Sequence, residues 1–318
     1  MKTKDITRLR ELGKIILEYS ADESNEKNIE IWTRLNDRDM ITPAVLTRDL
    51  PHYLIEYNDE LITNIEDSFL RNVEYTLLRQ IYEWKHLRCN CVIEDIVYCP
   101  VTYSDRRYGI YASSPYREKF DTAVIFDRQI DSEDDIQKIL EPEIIYDERI
   151  TMEHFDQLNE IFSGILKVRL HGVEHFYFAP WDDLLSWMNI ERGMYDFIDN
   201  PDLMRKAMKR YVDVSIGRAK RCEELGILSS NNRNIAVAAC GYGYTSELPP
   251  PTESGIGAKL IDNWGDGRDQ IFTSVSPEMT AEFAFDFGKP WTDLFGLNCY
   301  GCCEDMSKKI KEADKLPA

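Results

Sequence analysis

Strand-like and helix-like patterns alternate along the chain from residue 89 onward, and this alternation constrains the fold more than any other feature. Helical spacing of apolar residues covers 154–169 and 201–226, and the second of these helices opens with Pro201 and closes with Gly226. The β-rich runs are 89–101, 143–148, 172–180, 234–245, 270–276 and 294–301. Alternation of this kind is typical of a parallel sheet covered by helices. The sequence therefore predicts an α/β fold with about six strand–helix units.

The first 88 residues have a different pattern. Residues 1–20 and 60–87 are helical in spacing, and the second stretch repeats apolar residues at positions such as Leu70, Val73 and Leu77. No internal repeat or low-complexity linker divides the chain. We expect a helical extension over residues 1–88 that packs on an α/β domain over residues 89–318.

Charge and composition exclude several classes of function. Fifty-seven acidic residues against 38 basic ones give a net charge of −19, which repels nucleic acid and anionic lipid. No apolar run reaches the roughly 20 residues of a membrane helix, and residues 1–20 lack the apolar centre of a signal peptide. Eight cysteines without a secretory signal are typical of reduced thiols. We expect a cytoplasmic protein with no nucleic-acid or membrane partner.

Five segments, taken in order, carry a resemblance to a known family. They are FLRNVEYTLLRQIYEWKH (69–86), FAPWDDLLSWMNIERGMYDFIDNPDLMRKAMKRY (178–211), GYGYTSELP (241–249), SVSPEMTAEFAFDF (274–287) and FGLNCYGCCEDM (295–306). Over about residues 30–318 the chain resembles the uroporphyrinogen decarboxylase superfamily, in the branch similar to corrinoid-dependent methyltransferases of anaerobic bacteria. The resemblance implies a (β/α)8 TIM barrel with its active site at the carboxyl ends of the strands. Six units and the ending KLPA lead us to expect a barrel truncated at its C-terminus.

The segment from Cys299 to Glu304 is the candidate metal site. The resemblance implies a His-x-Cys pair at this strand end and a third thiolate later in the chain, which together hold zinc. Cys302 stands in the place of the family cysteine, whereas Tyr300 stands in the place of the histidine. Cys303 and Glu304 would supply further ligands, since zinc accepts both thiolate and carboxylate. The alternatives are thiols packed beside a glycine turn, or redox chemistry.

Four further residues are candidate catalytic groups. Tyr244 and Glu247 follow the run at 234–241, and Glu278 follows the run at 270–276. Asp95, beside Glu94, lies where the family decarboxylases place a catalytic aspartate. A carboxylate at a barrel mouth can act as a general acid, a general base or a metal ligand. The alternatives are helix or loop caps, packed tyrosines and a solvated rim. We expect Glu247, Glu278 and Cys302 to converge on one mouth.

Other polar and aromatic residues have less specific patterns. Trp181 and Tyr195 are expected to pack in the core, and His171 and His175 lack the spacing of metal ligands. The glycines of GYGYT do not form the turn that cradles a nucleotide phosphate.

The resemblance implies a zinc-assisted methyltransferase that moves a methyl group between a small O-, N- or S-methyl compound and a separate corrinoid protein, and this is the function that we expect. One alternative is a uroporphyrinogen decarboxylase-like lyase that acts on a tetrapyrrole. Its arginine-rich substrate clamp is reduced here to Arg48, in TPAVLTRDLPHYL. Another alternative is a non-catalytic barrel that binds a corrinoid or its carrier.

Overall fold

The computed structural model describes residues 2–47, 59–114, 124–238 and 240–316. The helices are α1 Thr3–Ser20, α2 Ser24–Asn36, α3 Ser68–His86, α4 Glu148–Phe162, α5 Pro180–Met188, α6 Ile190–Asp199, α7 Pro201–Glu224, α8 Pro277–Thr280, α9 Asp286–Thr292 and α10 Ile310–Ala313. The strands are β1 Ile96–Pro100, β2 Tyr103–Asp105, β3 Ile144–Tyr146, β4 Lys167–His171, β5 Trp264–Gly267 and β6 Leu297–Tyr300. The fold is mixed α/β, as predicted.

The N-terminal helices form where their apolar periodicity predicts them. The side chain of Asp67 accepts a hydrogen bond of 2.9 Å from the backbone N–H of Leu70 and so caps the start of α3. Leu77 on α3 and Leu9 on α1 are buried in one core cluster that also contains Leu158 of α4. The helical character predicted for 1–20 and 60–87 is confirmed in α1 and α3, and α2 adds a further helix between them.

Parallel strand pairs form the centre of the fold. β1 pairs with β4 in parallel, and β5 pairs with β6 in parallel. Residues 227–232 lie between the two pairs, because Leu228 bridges Val173 in parallel and Asn231 exchanges hydrogen bonds with the backbone of Trp264. A separate antiparallel pair joins β2 and β3. The sheets are small, and the described ranges contain no complete eight-stranded barrel.

Three of the predicted strands are placed wrongly. Residues 172–180 contain only one isolated bridge, at Val173. The strand in this part of the chain is β4, which lies just before them, and the sequence pattern assigned its first residues to the end of a helix. Gly164, with a φ of +71°, stops α4 before that strand begins. Residues 270–276 begin as a 3₁₀ turn, whereas β5 is the glycine-rich stretch WGDG just before them. Between 234 and 245, the described residues form turns with one bridge, between Ala236 and Tyr242.

The second core lies between β5–β6 and helices α5 to α9. Trp181 and Trp291 are almost fully buried there, at 0% and 1% exposure. The ring of Phe178 stacks on Trp291 with centroids 4.6 Å apart. Trp181 therefore packs as predicted, but Tyr195 is 60% exposed and does not. In the part of the chain that is described, no helix has the length and apolar character needed to cross a membrane.

Candidate functional site

The strand pair β1–β4 has one apolar and one polar face, because successive side chains of a strand point to opposite sides. Cys99 and Leu170 are buried in the core cluster formed with α1, α3 and α4. Tyr98 and His171 belong to the other face, where their rings lie 6.0 Å apart. The guanidinium of Arg233, just after residues 227–232, lies 4.1 Å from the centroid of the Tyr98 ring. The polar face thus gathers charged and aromatic groups from three neighbouring segments.

Glu174 is the carboxylate at the centre of this polar face. Arg233 donates to it at 2.7 Å, and the Nε2 of His171 lies 3.0 Å from its other oxygen. The Arg233 and Glu174 side chains are only 8% and 9% exposed. Burial alone would raise the pKa of Glu174, but the contact with His171 and the charge of Arg233 outweigh it and hold the pKa below its ordinary value. Glu174 therefore stays ionised in a buried ion pair.

A second acidic group on the same side of the molecule is Asp266 of β5. It forms a close ion pair with Arg268, and the Nε2 of His175 lies 3.7 Å from the same oxygen. Its other oxygen, Oδ1, is buried without a hydrogen-bond partner among the described residues. Burial raises the pKa of Asp266, against the effects of His175 and Arg268. Cys299 lies opposite Asp266 in the strand register, and its thiol is hydrogen-bonded to Cys240.

Three carboxyl groups, here named the rim acids, lie beyond the ends of β5 and β6: Asp182, Asp269 and Glu304. Asp269 follows β5 and accepts a hydrogen bond of 2.6 Å from the hydroxyl of Tyr300, the last residue of β6. The pKa of Asp269 is raised to about 7. Burial is the main cause, and the charges of Glu304 and Asp182 add to the rise, whereas the hydrogen bond from Tyr300 opposes it. Asp269 therefore exchanges a proton near neutral pH.

The other two rim acids are held by polar groups around Asp269. Asp182, in the first turn of α5, accepts hydrogen bonds from Gln270 at 2.5 Å and from Tyr177 at 3.4 Å. Burial raises the pKa of Asp182, and the charge of Glu304 adds to the rise. Glu304 accepts hydrogen bonds from the backbone N–H groups of Asp269 and Cys302, at 3.2 and 3.1 Å.

Two cavities flank the rim acids. One of about 240 Å³ is lined by Tyr300, Cys299 and Gly267, together with residues after α10. The other, of about 230 Å³, is lined by Tyr177 and Asp183 and by the chain around Arg107. Because Tyr300 bonds Asp269 and Tyr177 bonds Asp182, each cavity borders one of the rim acids through a tyrosine.

The residues predicted to bind zinc lie just after β6. The thiols of Cys302 and Cys303 are free and exposed, and their sulfur atoms are 3.5 Å apart. The hydrogen bond between the two thiols raises the pKa of Cys302. Glu304 is turned toward the two backbone amides described above. In the described ranges, no group of three or more His, Cys, Asp and Glu side chains is placed to hold a metal ion. The residues present thus supply two thiols and no complete ligand set for tetrahedral zinc.

The four residues predicted as catalytic lie in different parts of the molecule. Tyr244 lies near the polar face: its hydroxyl is buried without a partner among the described residues, and its pKa is raised by burial and then by Glu94. Glu247 forms an ion pair of 2.5 Å with Arg38, and Asp95 forms one of 2.9 Å with Lys167 at the amino end of β4. Glu278 is exposed in the first turn of α8.

The expected convergence of Glu247, Glu278 and Cys302 is absent from the contacts of the described residues. Glu247 is paired with Arg38, two residues after the end of α2, and Glu278 lies in the first turn of a helix instead of at a strand end. Arg48, the residue left of the decarboxylase clamp, lies outside the described residues.

Sequence reasoning missed Asp269, Asp182 and the ion pair of Glu174 with Arg233. Asp269 follows the stretch WGDG, whose two glycines obscure a strand. Asp182 follows the predicted strand at 172–180 by two residues, but no local pattern pairs it with Asp269. A signal for it existed in the first turn of α5, where a carboxylate is favoured by the helix dipole.

Comparisons with known proteins give no relative for this chain. No protein-family model, no curated protein and no solved structure matches it.

Proposed function

We propose that this chain is a methyltransferase with a barrel-type arrangement of parallel strands, which moves a methyl group between a small methylated compound and the corrinoid of a separate protein. The observation that carries the proposal is the hydrogen-bonded pair of Asp269 and Tyr300, placed beside a cavity at the ends of β5 and β6. Functional groups at the carboxyl ends of parallel strands are typical of enzymes with this architecture.

The pair suits methyl transfer because of what the leaving group needs. When the bond from the methyl carbon to oxygen, nitrogen or sulfur breaks, the electron pair stays on that heteroatom, which then takes up a proton. Tyr300 lines the cavity, and its O–H donates to Asp269 when that carboxyl group is ionised. When Asp269 is protonated, its own O–H can donate to the Oη of Tyr300. The O–H of Tyr300 is then free to give its proton to the leaving heteroatom, and the proton of Asp269 replaces it. With a pKa raised to about 7, Asp269 holds a proton in a large fraction of molecules near neutral pH.

A corrinoid would supply the nucleophilic acceptor of the methyl group. The cavity of about 240 Å³ has room for a small methylated compound but not for a corrinoid macrocycle. A corrinoid on a partner protein must therefore meet the rim of the site from outside. This geometry supports a separate corrinoid protein as the partner, as the resemblance implies.

Zinc is a further part of the proposal that stays a prediction. Cys302 and Cys303 are the exposed soft donors nearest the rim acids, and a third ligand would have to come from a rearranged Glu304 or from elsewhere. The proton transfer through Tyr300 and Asp269 does not require zinc, which would instead bind the leaving heteroatom as a Lewis acid and so speed its release.

The decarboxylase alternative gains no specific support. Arg233 and Arg268 do lie at the strand ends, but each is paired with a carboxylate, Glu174 or Asp266. Arginines that are already paired cannot neutralise the eight carboxylates of uroporphyrinogen. Each substrate carboxylate left without a cation costs several kcal/mol in a buried site.

The test incubates the chain with a reduced corrinoid protein and candidate methyl ethers, methylamines and methyl thioethers, and follows cobalt methylation by its absorption spectrum. A parallel tube contains uroporphyrinogen, and released carbon dioxide is measured. The proposal predicts cobalt methylation with at least one donor and a large loss of rate in Asp269→Asn. The matched control is Asp286→Asn, an exposed aspartate at the start of α9, which should keep the rate. Carbon dioxide release without cobalt methylation would support the lyase instead. The absence of both reactions would support the non-catalytic barrel.

A further inference from the structure

Cys302 and Cys303 are adjacent thiols that face each other just after β6. Their sulfur atoms lie 3.5 Å apart, and both residues are exposed. We propose that the two residues are a site of reversible oxidation, at which a peroxide converts the thiols to a disulfide and the change reaches the rim acids. The inference goes beyond the proposed function, because its tests need neither a corrinoid nor a methyl donor.

The backbone before the pair turns the chain out of the sheet. Gly301 has a φ of +106°, a conformation that favours glycine, and its N–H donates to the carbonyl oxygen of Gly267 at 3.0 Å. The turn is therefore fixed to β5 on one side. On its other side, Cys302 and Cys303 are open to a small oxidant.

A disulfide between neighbouring residues is strained. Consecutive Cα atoms are about 3.8 Å apart, whereas the two Cα atoms of an ordinary disulfide are about 4.4–6.8 Å apart. Strain makes a disulfide easier to reduce, and strained or exposed disulfides are the labile and regulatory ones. We therefore expect the pair to stay a dithiol in the presence of ordinary thiols and disulfides, and to oxidise only with a stronger oxidant such as a peroxide.

The oxidation takes place in two steps. A thiolate of the pair attacks one oxygen of hydrogen peroxide and breaks the O–O bond, which gives a sulfenic acid and, after protonation, water. The neighbouring thiol then attacks the sulfenic sulfur and displaces a second water. The two cysteines lose two hydrogens and two electrons in total, and the peroxide is reduced to two waters.

The other cysteines are less suited to this reaction. Cys91, Cys99 and Cys222 are buried, and burial raises the pKa of each thiol, to about 11 for Cys99 and to about 12 for Cys222. A cysteine reacts as its thiolate, so these three should react slowly. The competing pair is Cys240 and Cys299, whose thiols are hydrogen-bonded to each other.

Glu304 connects the pair to the rim acids. One of its oxygens accepts the backbone N–H of Cys302 at 3.1 Å, and the other accepts that of Asp269 at 3.2 Å. To reach the disulfide bond length of about 2 Å, the two sulfurs must approach by about 1.5 Å, which the backbone of two adjacent residues cannot absorb without moving. We expect the bond from Cys302 to Glu304 to be lost, and the bond from Asp269 to Glu304 to weaken with it.

The first experiment locates the disulfide. The full chain is treated with hydrogen peroxide in the presence of a chelator, so that no zinc covers the thiols, and its tryptic peptides are analysed by mass spectrometry. The peptide that contains Cys299, Cys302 and Cys303 should lose two hydrogens. The loss should persist in Cys299→Ser and disappear when Cys303→Ser is added to that variant.

Two results would overturn the location. Cys240 lies in a different tryptic peptide, so a disulfide with Cys299 would join two peptides and would assign the oxidation to the competing pair. A peptide that stays reduced, or that gains only oxygen at Cys302 or Cys303, would show that the adjacent thiols do not form the disulfide.

The second experiment measures the strain, in Cys299→Ser. Reduced glutathione should restore both thiols of the oxidised variant, and glutathione disulfide should oxidise at least about tenfold fewer molecules than hydrogen peroxide does. Equal oxidation by glutathione disulfide, or a product that reduced glutathione leaves unchanged, would contradict a strained and reversible disulfide.

The third experiment follows hydrogen exchange of backbone amides before and after oxidation. The amides of Cys302 and Asp269 should exchange at least about tenfold faster in the oxidised chain, because both donate to Glu304. The control is the amide of Val101, which donates to the carbonyl oxygen of His171 at 2.8 Å in another part of the sheet and should be unchanged. Equal exchange of Cys302 and Asp269 in the two states would show that oxidation does not reach the rim acids.

Discussion

The hydroxyl of Tyr300 donates a hydrogen bond of 2.6 Å to the carboxyl group of Asp269. The two residues come from the ends of paired strands, since Tyr300 lies opposite Gly267 in the register of β5 and β6 and Asp269 follows two residues later. The pair is therefore positioned by the sheet itself. A proton that passes between the hydroxyl of Tyr300 and the carboxyl group of Asp269 is therefore held next to the cavity that Tyr300 lines.

Asp269 should make the stability of the protein depend on pH. Its folded pKa is raised to about 7, so between about pH 4 and pH 7 the folded state binds a proton that the unfolded state has lost. This contribution is fully present below the unfolded pKa and is lost as the pH rises through 7. At roughly 1.4 kcal/mol per pKa unit, several kcal/mol are at stake.

Urea unfolding of the unmodified chain and of Asp269→Asn at several pH values between 4 and 8 checks this. The free energy of unfolding should fall with rising pH in the unmodified chain, and much less steeply in the variant, whose amide does not titrate. The same slope in both proteins would show that Asp269 is not the titrating group.

Arg233→Met should destabilise the fold strongly. Arg233 lies 2.7 Å from the carboxylate of Glu174, which is only 9% exposed. The substitution therefore leaves a buried charge whose only remaining ionisable partner is His171. The expected loss is about 3–5 kcal/mol in the free energy of unfolding at neutral pH. Arg149→Met is the control: its ion pair with Glu153 is 70% and 60% exposed, and its loss should be about 0–1 kcal/mol. Equal losses in the two variants, measured by denaturant titration, would mean that Glu174 is not held as a buried ion.

Cys302→Ser tests the predicted zinc ion. A serine hydroxyl stays protonated near neutral pH and binds zinc poorly, so the zinc content and the methylation rate should fall together. The fold should survive, because Cys302 is exposed. Cys89→Ser, a half-buried cysteine in the chain before β1, should keep the metal. Elemental analysis decides the point: zinc absent from the unmodified protein, or unchanged in Cys302→Ser, would make the zinc prediction wrong.

The long amphipathic helices could be predicted well from the sequence, but the short strands could not. The helical pattern of 60–87 repeats over several turns, and α3 occupies most of it. By contrast, β5 contains two glycines and no β-branched residue, so it has no strand pattern to detect. Glycine is nevertheless required there: a Cβ at Gly265 would lie 2.4 Å from the ring of Phe295. β5 forms because its backbone pairs with β6 and packs closely against Phe295. These contacts are distant in sequence, so the local residue pattern does not reveal them.

The sequence predicted a strand end in this part of the chain and singled out Glu304, one of the three rim acids, but it did not single out Asp269. The strand end before Cys302 is β6, as expected, and Tyr300 lies at it. The association of Asp269 with Asp182 was missed because the two residues are 87 positions apart and meet only through the fold. Glu247 and Glu278 were chosen from strand ends that the structure does not form.

The most direct test of the account is the pH dependence of cobalt methylation by the unmodified chain and by Asp269→Asn, under single-turnover conditions with saturating donor. If Asp269 supplies the proton through Tyr300, the rate should be highest in the protonated form and fall tenfold per pH unit above about pH 7, where Asp269 loses its proton. Asp269→Asn should be slower below pH 7 by about 10²–10⁴-fold and show no such fall. A rate that is independent of pH through this range, or that is unchanged in Asp269→Asn, would contradict the assignment of Asp269 and Tyr300 as the proton-donating pair.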